Sequence, residues 1–444
     1  MSADLQRWDA HVASVRDTVE RHHREAPADK VSQHARLLVL DTLGCALAGR
    51  RAPEVHALEA SLAGLEPGDF RFPGGPPLGL RAAAQILAIA ATWDEACEGH
   101  PSAHGRPGIP AIAVLLPLAL RRGASLGDFL SSLVMGYEVG ARAGAWLRIP
   151  SGLHVDGNWP GIGVAAAVAC LLGLPPEAIL RAINIAACQL GTSLYLPVRT
   201  GATVRNLYLA RSAMLGMDAA LAAQAGIGAP IEATAHYAEH FSRAEPAPLP
   251  PASADVILGA YLKPFAAVRH VHYGALAARA LRTELGGRTQ DIRRIELSIY
   301  DEAITYCGNR NPRAPLTAQF SLSFGVAAML RFGALDPACY DEPRFSDPEL
   351  RRLEQLVEVV PDPDLTAKRQ RGARLAVVAD QAHACTVAAT HPDLYLDAEA
   401  AAAKFALNAR ATTSEATARS FCAALLSAPP AMALADWWQQ LERT

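Results

Sequence analysis

The chain has 444 residues, 51% of them hydrophobic, and a formal net charge of −3 from 41 basic and 44 acidic residues. That is ample apolar material for a large core without disulfide staples, and a near-neutral balance with no basic run excludes a nucleic-acid surface. No apolar run reaches the roughly 18–20 residues of a membrane span, and Met1–Glu20 lacks the apolar stretch of a secretory signal. The eight cysteines form no CxxC pair, so a cytoplasmic protein with reduced thiols is expected.

Residues 1–240 read as helix after helix. Apolar positions at helical spacing predict helices over Val31–Ala48, Leu78–Trp93, Ile109–Arg122, Leu126–Leu147, Gly163–Leu174 and Glu177–Cys188, with Pro or Gly between several of them. Several are apolar nearly all round, which places them inside a bundle. Glu245–Ala252 is Pro-rich and reads as a linker. Beyond it, Ile292–Tyr300 alternates as a strand does, with Ile295, Leu297 and Ile299 on one face. Val357–Val360 and Arg374–Asp380 are further strand candidates, and Gly274–Glu284, Thr317–Phe332 and Pro348–Val357 look helical. Ala398–Trp438 returns to Ala-rich helix. The expected fold is therefore mainly α: a large all-α domain from both termini, 1–261 and 393–444, with a smaller inserted α+β lid, 262–392.

Four polar segments interrupt this apolar background. Trp93–Gly108 holds Asp94, Glu95, Glu98, His100, His104 and Arg106 between two apolar helices. Histidine is the natural general base near neutral pH, and a carboxylate neighbour can orient it. A solvated loop or a metal site are the other readings of such a mixture, although the spacing matches no common zinc pattern. Gly152–Gly161 carries His154 and Asp156 just before a predicted helix, whose end would offer free backbone N–H groups to an anion. Arg199–Asn206 contains Arg199 and Arg205. Lys263–Tyr273 groups Arg269, His270, His272 and Tyr273 at the start of the proposed lid, where ligand pockets often lie. All but four of the basic residues (Lys30, Lys263, Lys368 and Lys404) are arginines, which suit carboxylate recognition. There is no Walker loop or HExxH motif.

Taken together, these segments resemble the MmgE/PrpD family, which includes 2-methylcitrate dehydratase, cis-aconitate decarboxylase and iminodisuccinate epimerase. The resemblance rests on Leu37–Gly49, the His100-Pro101-Ser102 region, Gly136–Arg142, His154…Gly161-x-Gly163-x-Ala165-Ala166-Ala167, Lys263-Pro264-Phe265…Arg269-x-x-His272 and Ala318–Phe324, in this order. It implies a homodimer with its active site between domain and lid, no metal, no organic cofactor, and a small polycarboxylate as substrate.

Carried over residue by residue, the resemblance makes His104, in preference to His100, the loop histidine, with Asp94 the acidic group before it. His154 matches the second active-site histidine and His272 the lid-side one. Arg205 stands where dehydratase and decarboxylase members look to have lysine, and Phe324 where they often have tyrosine. Losing two potential proton donors tilts the expectation towards an epimerase-like isomerase, because an elimination needs an acid to help the hydroxide leave. A dehydratase or decarboxylase is the alternative, and a non-catalytic helical binding protein a weaker one. The expected carboxylate-binding groups are Arg205, Arg269, Lys263, Arg106 and Arg142, around a histidine that takes the α-proton.

Overall fold

The computed structural model describes residues 8–241 and 250–442. Twenty α-helices run through them, and strands are confined to a two-residue ladder and one four-stranded sheet, so the fold is mainly α. Residues 245–249 of the Pro-rich stretch lie outside the described residues.

The helix Pro160–Leu171 sits at the centre of the bundle. It packs against Leu126–Trp146, Tyr208–Gln224, Pro176–Ala187 and Gly108–Arg122. Its side chains are apolar on every side, so surrounding helices must cover all of it. Small residues make this possible. A Cβ on Gly163 would lie 2.6 Å from the Gly136 carbonyl oxygen and 2.9 Å from Gly140 Cα, so the two backbones touch where these glycines cross. Local signals end the helices cleanly: Pro at the first turn of Pro53–Leu65, Pro160–Leu171 and Pro176–Ala187, and a capping box between Ser125 and Asp128 at the start of Leu126–Trp146.

The C-terminal helices return to the N-terminal ones. Ala398–Ala409 packs on Asp29–Gly49, Glu415–Ser427 packs on both, and Leu434–Glu442 reaches Gly108–Arg122.

The sheet runs in the order Val357–Pro361, Arg294–Ile299, Gly372–Val378, Ala382–Ala388. The first pair is parallel and the others are antiparallel. Ile295, Leu297 and Ile299 are fully buried while Arg294 is exposed, as the alternation predicts. Helix Arg269–Glu284 packs on the last two strands and on Leu322–Phe332. It begins five residues earlier than the sequence suggests, so Arg269, His270, His272 and Tyr273 lie in its first turns and not in a hinge. The predicted helix Thr317–Phe332 is two helices, Pro315–Gln319 and Leu322–Phe332, restarted by the Ser321 hydroxyl accepting from Phe324 N–H.

Candidate active site

A cavity of about 680 Å³ lies between the loop Glu95–Arg106, the segment from Gly144 to Trp159, and a wall made by Tyr261–His270, Glu302–Tyr306, Phe320 and Arg371. Tyr195, Arg199 and Arg205 complete its lining. All four polar segments singled out in the sequence thus meet at one place.

The loop histidines differ in what they are free to do. His100 is tied at both nitrogens: Nε2 bonds the Val256 carbonyl at 2.9 Å, and Nδ1 accepts from Ala103 N–H at 3.3 Å. His104 is exposed to the cavity, with no hydrogen bond to its imidazole among the described residues. Desolvation, then Arg148 and Arg371 nearby, lower its pKa to about 4, so the ring is neutral near pH 7. Its backbone is left-handed, φ 54°, as is that of Glu95, φ 53°. Non-glycine residues held this way are strained and concentrate at functional sites. The turn is pinned by bridges from Gly99 to Tyr261 and from His100 to Gly105, and by Gly105 lying against Trp159, where a Cβ would stand 2.5 Å from the ring.

His154 is fixed by a short ladder in which Leu153 and His154 pair with Leu194 and Ser193. Its Nδ1 accepts from Asp156 N–H at 3.2 Å, which places the proton of the neutral ring on Nε2. The ring stacks on Tyr195 with centroids 5.9 Å apart. Burial, with Arg205 and Arg106 beside it, lowers its pKa to about 4 although Asp156 pulls the other way. A third imidazole, His270, enters from the opposite wall. Its Nδ1 lies 2.6 Å from Tyr300 Oη and its ring stacks on Tyr306.

Between these rings sits a buried cluster. Glu95 Oε1 accepts from Lys263 Nζ at 2.6 Å, and Oε2 accepts from Arg106 Nη1 at 2.9 Å and from Arg205 Nη2. Arg106 also donates to Asp156. Burial alone would raise the Glu95 carboxyl, but Arg106, Arg205 and Lys263 together hold it well below its ordinary range. Outside this cluster, Arg148 and Arg199 line the cavity without an ion pair among the described residues. Arg269 donates one bond to the Leu394 carbonyl and lies over the Tyr261 ring. Arg371 contacts Glu302 at 3.4 Å.

Three candidates from the sequence lie elsewhere. His272 is fully buried, bonded through Nε2 to the Ala267 carbonyl and packed on Phe265, outside the cavity lining. Asp94 forms a two-pronged pair with Arg51, which also grips Asp341. Arg142 pairs with Glu138 on its own helix and donates to the Pro251 and Ala254 carbonyls. His272 and Arg142 are turned away from the cavity by their positions on helices Arg269–Glu284 and Leu126–Trp146, and Asp94, in the turn after Leu80–Thr92, is held by Arg51. The expected helix-end anion site is also absent: the helix opens with Pro160, and the N–H groups of Gly161 and Ile162 are bonded to Asn158 and Trp159 carbonyls. Phe324 stacks on Tyr340 away from the cavity, so tyrosine there would supply no donor, whereas Tyr195, Tyr261 and Tyr306 do line it. Among the described residues no group of three or more His, Cys, Asp or Glu side chains is arranged to hold a metal ion.

The model of the MmgE/PrpD N-terminal domain matches residues 14–243, and that of the C-terminal domain matches residues 265–426. The chain belongs to the MmgE/PrpD family. Among curated relatives, human cis-aconitate decarboxylase is 26% identical over 364 residues, covering 76% of this chain and 73% of the relative. Cis-aconitate decarboxylase of Aspergillus terreus is 26% identical over 49% of this chain, and the cis-aconitate decarboxylase-like protein oryM of Aspergillus oryzae 27% identical over 46%. These matches span only 44% of each fungal relative. As an MmgE/PrpD member the chain is an enzyme of isomerase or lyase type. No helix among its described residues is long and apolar enough to cross a membrane.

Proposed function

We propose that this chain is a cofactor-independent lyase that moves a proton beside a carboxylate of a small polycarboxylic acid. The carrying observation is the pairing of two neutral imidazoles, His104 and His154, with arginines that have no carboxylate partner among the described residues, Arg148 and Arg199, around one cavity. The relatives named cis-aconitate decarboxylase support the lyase type over the isomerase expected from the sequence. The loss of a tyrosine at Phe324 no longer argues against it, since three tyrosines line the cavity.

In this reading the arginines grip the substrate carboxylates and His104, unprotonated and unbonded, takes the proton. Charge that develops on the bound carboxylate is met by fixed cations in a partly dehydrated site, the largest stabilising effect available here. His154 Nε2–H hydrogen-bonds the carboxylate on which charge develops, and the imidazolium formed on His104 returns its proton to carbon. In a decarboxylation the C–CO₂ bond breaks, its electron pair stays with the substrate carbon, and one proton from solvent, relayed through the His104 imidazolium, ends there. Segment 262–392 acts as the lid, and the protein works as a cytoplasmic homodimer.

Epimerisation of an iminodisuccinate-like acid is the second reading, favoured by the same two rings arriving from separate segments, the loop Glu95–Arg106 and the strand Leu153–His154, one to remove a proton and one to return it. Proton NMR in D₂O with cis-aconitate, 2-methylcitrate, citrate, malate and iminodisuccinate separates the two. A new vinylic signal or released CO₂ is expected. Loss of an α-proton signal with no new olefin would replace the lyase by the epimerase, and no change with any acid would remove both.

A further inference from the structure

Glu95 is an unusual lining residue. A substrate-binding cavity rich in arginine has three of its cations gathered on one of the protein's own carboxylates. The residue is 4% exposed and held in a left-handed backbone conformation at the mouth of the loop that carries His104. That conformation is strained for a side chain with a Cβ, and it persists only where the surroundings enforce it.

The donors it engages are otherwise occupied. Arg205 Nη1 bonds the Thr92 carbonyl and Asn206 Oδ1, Arg106 Nη2 bonds Asp156, and Lys263 Nζ also bonds the Glu95 carbonyl. With Glu95 in place, an incoming carboxylate finds these Nη and Nζ groups engaged, with the buried Arg205 Nε left unpartnered, and it meets a negative charge. Without it, the three cations would face a space shaped for one carboxylate. The cationic groups left for substrate are Arg148 and Arg199, which have no ion pair among the described residues, with Arg269, bonded to the Leu394 carbonyl, and Arg371, which also contacts Glu302 at 3.4 Å.

We propose that Glu95 permanently fills one carboxylate subsite of this cavity, so that the site selects dicarboxylates over tricarboxylates. The proposal rests on the functional reading above in taking the cavity to be a carboxylate site, and it narrows the substrate class. Arg148, Arg199, Arg269 and Arg371 hold the two carboxylates that the substrate brings, and Glu95 supplies in cis the charge that a third would have carried. Glu95 is a specificity-determining residue, not the base.

Calorimetric binding to the full chain tests this without requiring turnover. Succinate and propane-1,2,3-tricarboxylate are titrated, at matched ionic strength, into the wild type and Glu95→Ala. The wild type should bind succinate at least as tightly as the tricarboxylate. In Glu95→Ala, which removes both the charge and the group that fills the subsite, the affinity for tricarboxylate relative to succinate should rise at least tenfold. An unchanged ratio in folded Glu95→Ala overturns the proposal. If Glu95→Ala does not fold, the wild type decides: a tenfold preference for the tricarboxylate overturns it. Inverted preference would leave the lyase reading intact, whereas a wild type that binds neither acid would overturn both.

Discussion

His104 and His154 are both neutral near pH 7, yet they are poised differently. His104 has open nitrogens and His154 has Nδ1 committed to Asp156 N–H. Replacing either by asparagine should lower turnover at least roughly 100-fold, about the low end for general acid–base catalysis. Turnover within threefold of wild type in steady-state assays would remove that residue from the mechanism. The same replacement at His100 should act through the loop: its ring is a strut between Val256 and Ala103, so KM and stability change before the chemistry does. The pH profile separates this site from an ordinary histidine. Desolvation, with arginines nearby, lowers both His104 and His154 to about 4 from 6.5, so the active neutral form persists on acidification. Activity against pH should stay flat from about pH 8 to 5 and fall only near 4, and a fall centred at 6–7 would show that neither ring behaves as described. Histidines and arginines in polar breaks between apolar helices were legible in the sequence. Glu95 and Asp156 stood in the same segments but carried no sign that they would gather cations from positions 106, 205 and 263. Arg148 and Tyr195 come from stretches with little local polar signature, Arg371 from a basic stretch, Lys368-Arg369-Gln370-Arg371, far along the chain, and only the folded chain brings them to the cavity.

Among the elements, the central crossing of Leu126–Trp146 over Pro160–Leu171 depends on glycine. Gly163→Ala places a methyl 2.6 Å from the Gly136 carbonyl oxygen, where backbone and not a flexible side chain must give way. Overpacking of this sort costs about 1–3 kcal/mol. Alanine's better helix propensity returns at most ~1 kcal/mol, so a net loss is expected in urea denaturation. Equal or higher stability would mean that the helices separate more easily than their contact suggests. Helices of this bundle could be read from the chain because an all-apolar 3.6-residue pattern bounded by Pro and Gly has few other solutions. Strand Ala382–Ala388 was not. It is the edge of its sheet, its side chains are mostly exposed or half-buried, and its composition, Ala-His-Ala-Cys-Thr-Val-Ala, carries little alternation. Helix Pro53–Leu65 was likewise missed, because only Val55 and Glu59 are buried along it and its apolar stripe is faint.

At the scale of the whole molecule, one lysine joins parts of the chain that are far apart in sequence. Lys404, on the C-terminal helix Ala398–Ala409, donates to Asp41 Oδ1 at 2.5 Å, to the Ala96 carbonyl at 2.6 Å and to the Lys263 carbonyl at 2.8 Å. The two carbonyls flank the Glu95–Lys263 ion pair, so a residue outside the cavity fixes the spacing of the cation cluster inside it. Burial alone would lower the Lys404 pKa, but Asp41 holds it above the ordinary range and the ammonium stays charged. Lys404→Met keeps the length of the stem and removes the charge. It leaves Asp41, 4% exposed, as an uncompensated buried carboxylate, a change worth about 3–5 kcal/mol when one partner of a buried pair is deleted. Replacing both partners, as in Lys404→Met with Asp41→Leu, should restore part of that loss, because no buried charge then remains. Activity should not follow stability in the double variant. The Ala96 and Lys263 carbonyls still lack their common donor, so the loop and the lysine lose their fixed separation, and kcat should stay depressed after the denaturation midpoint has recovered. A double variant that regains stability and full kcat together would show that Lys404 serves only to pack the C-terminal helix.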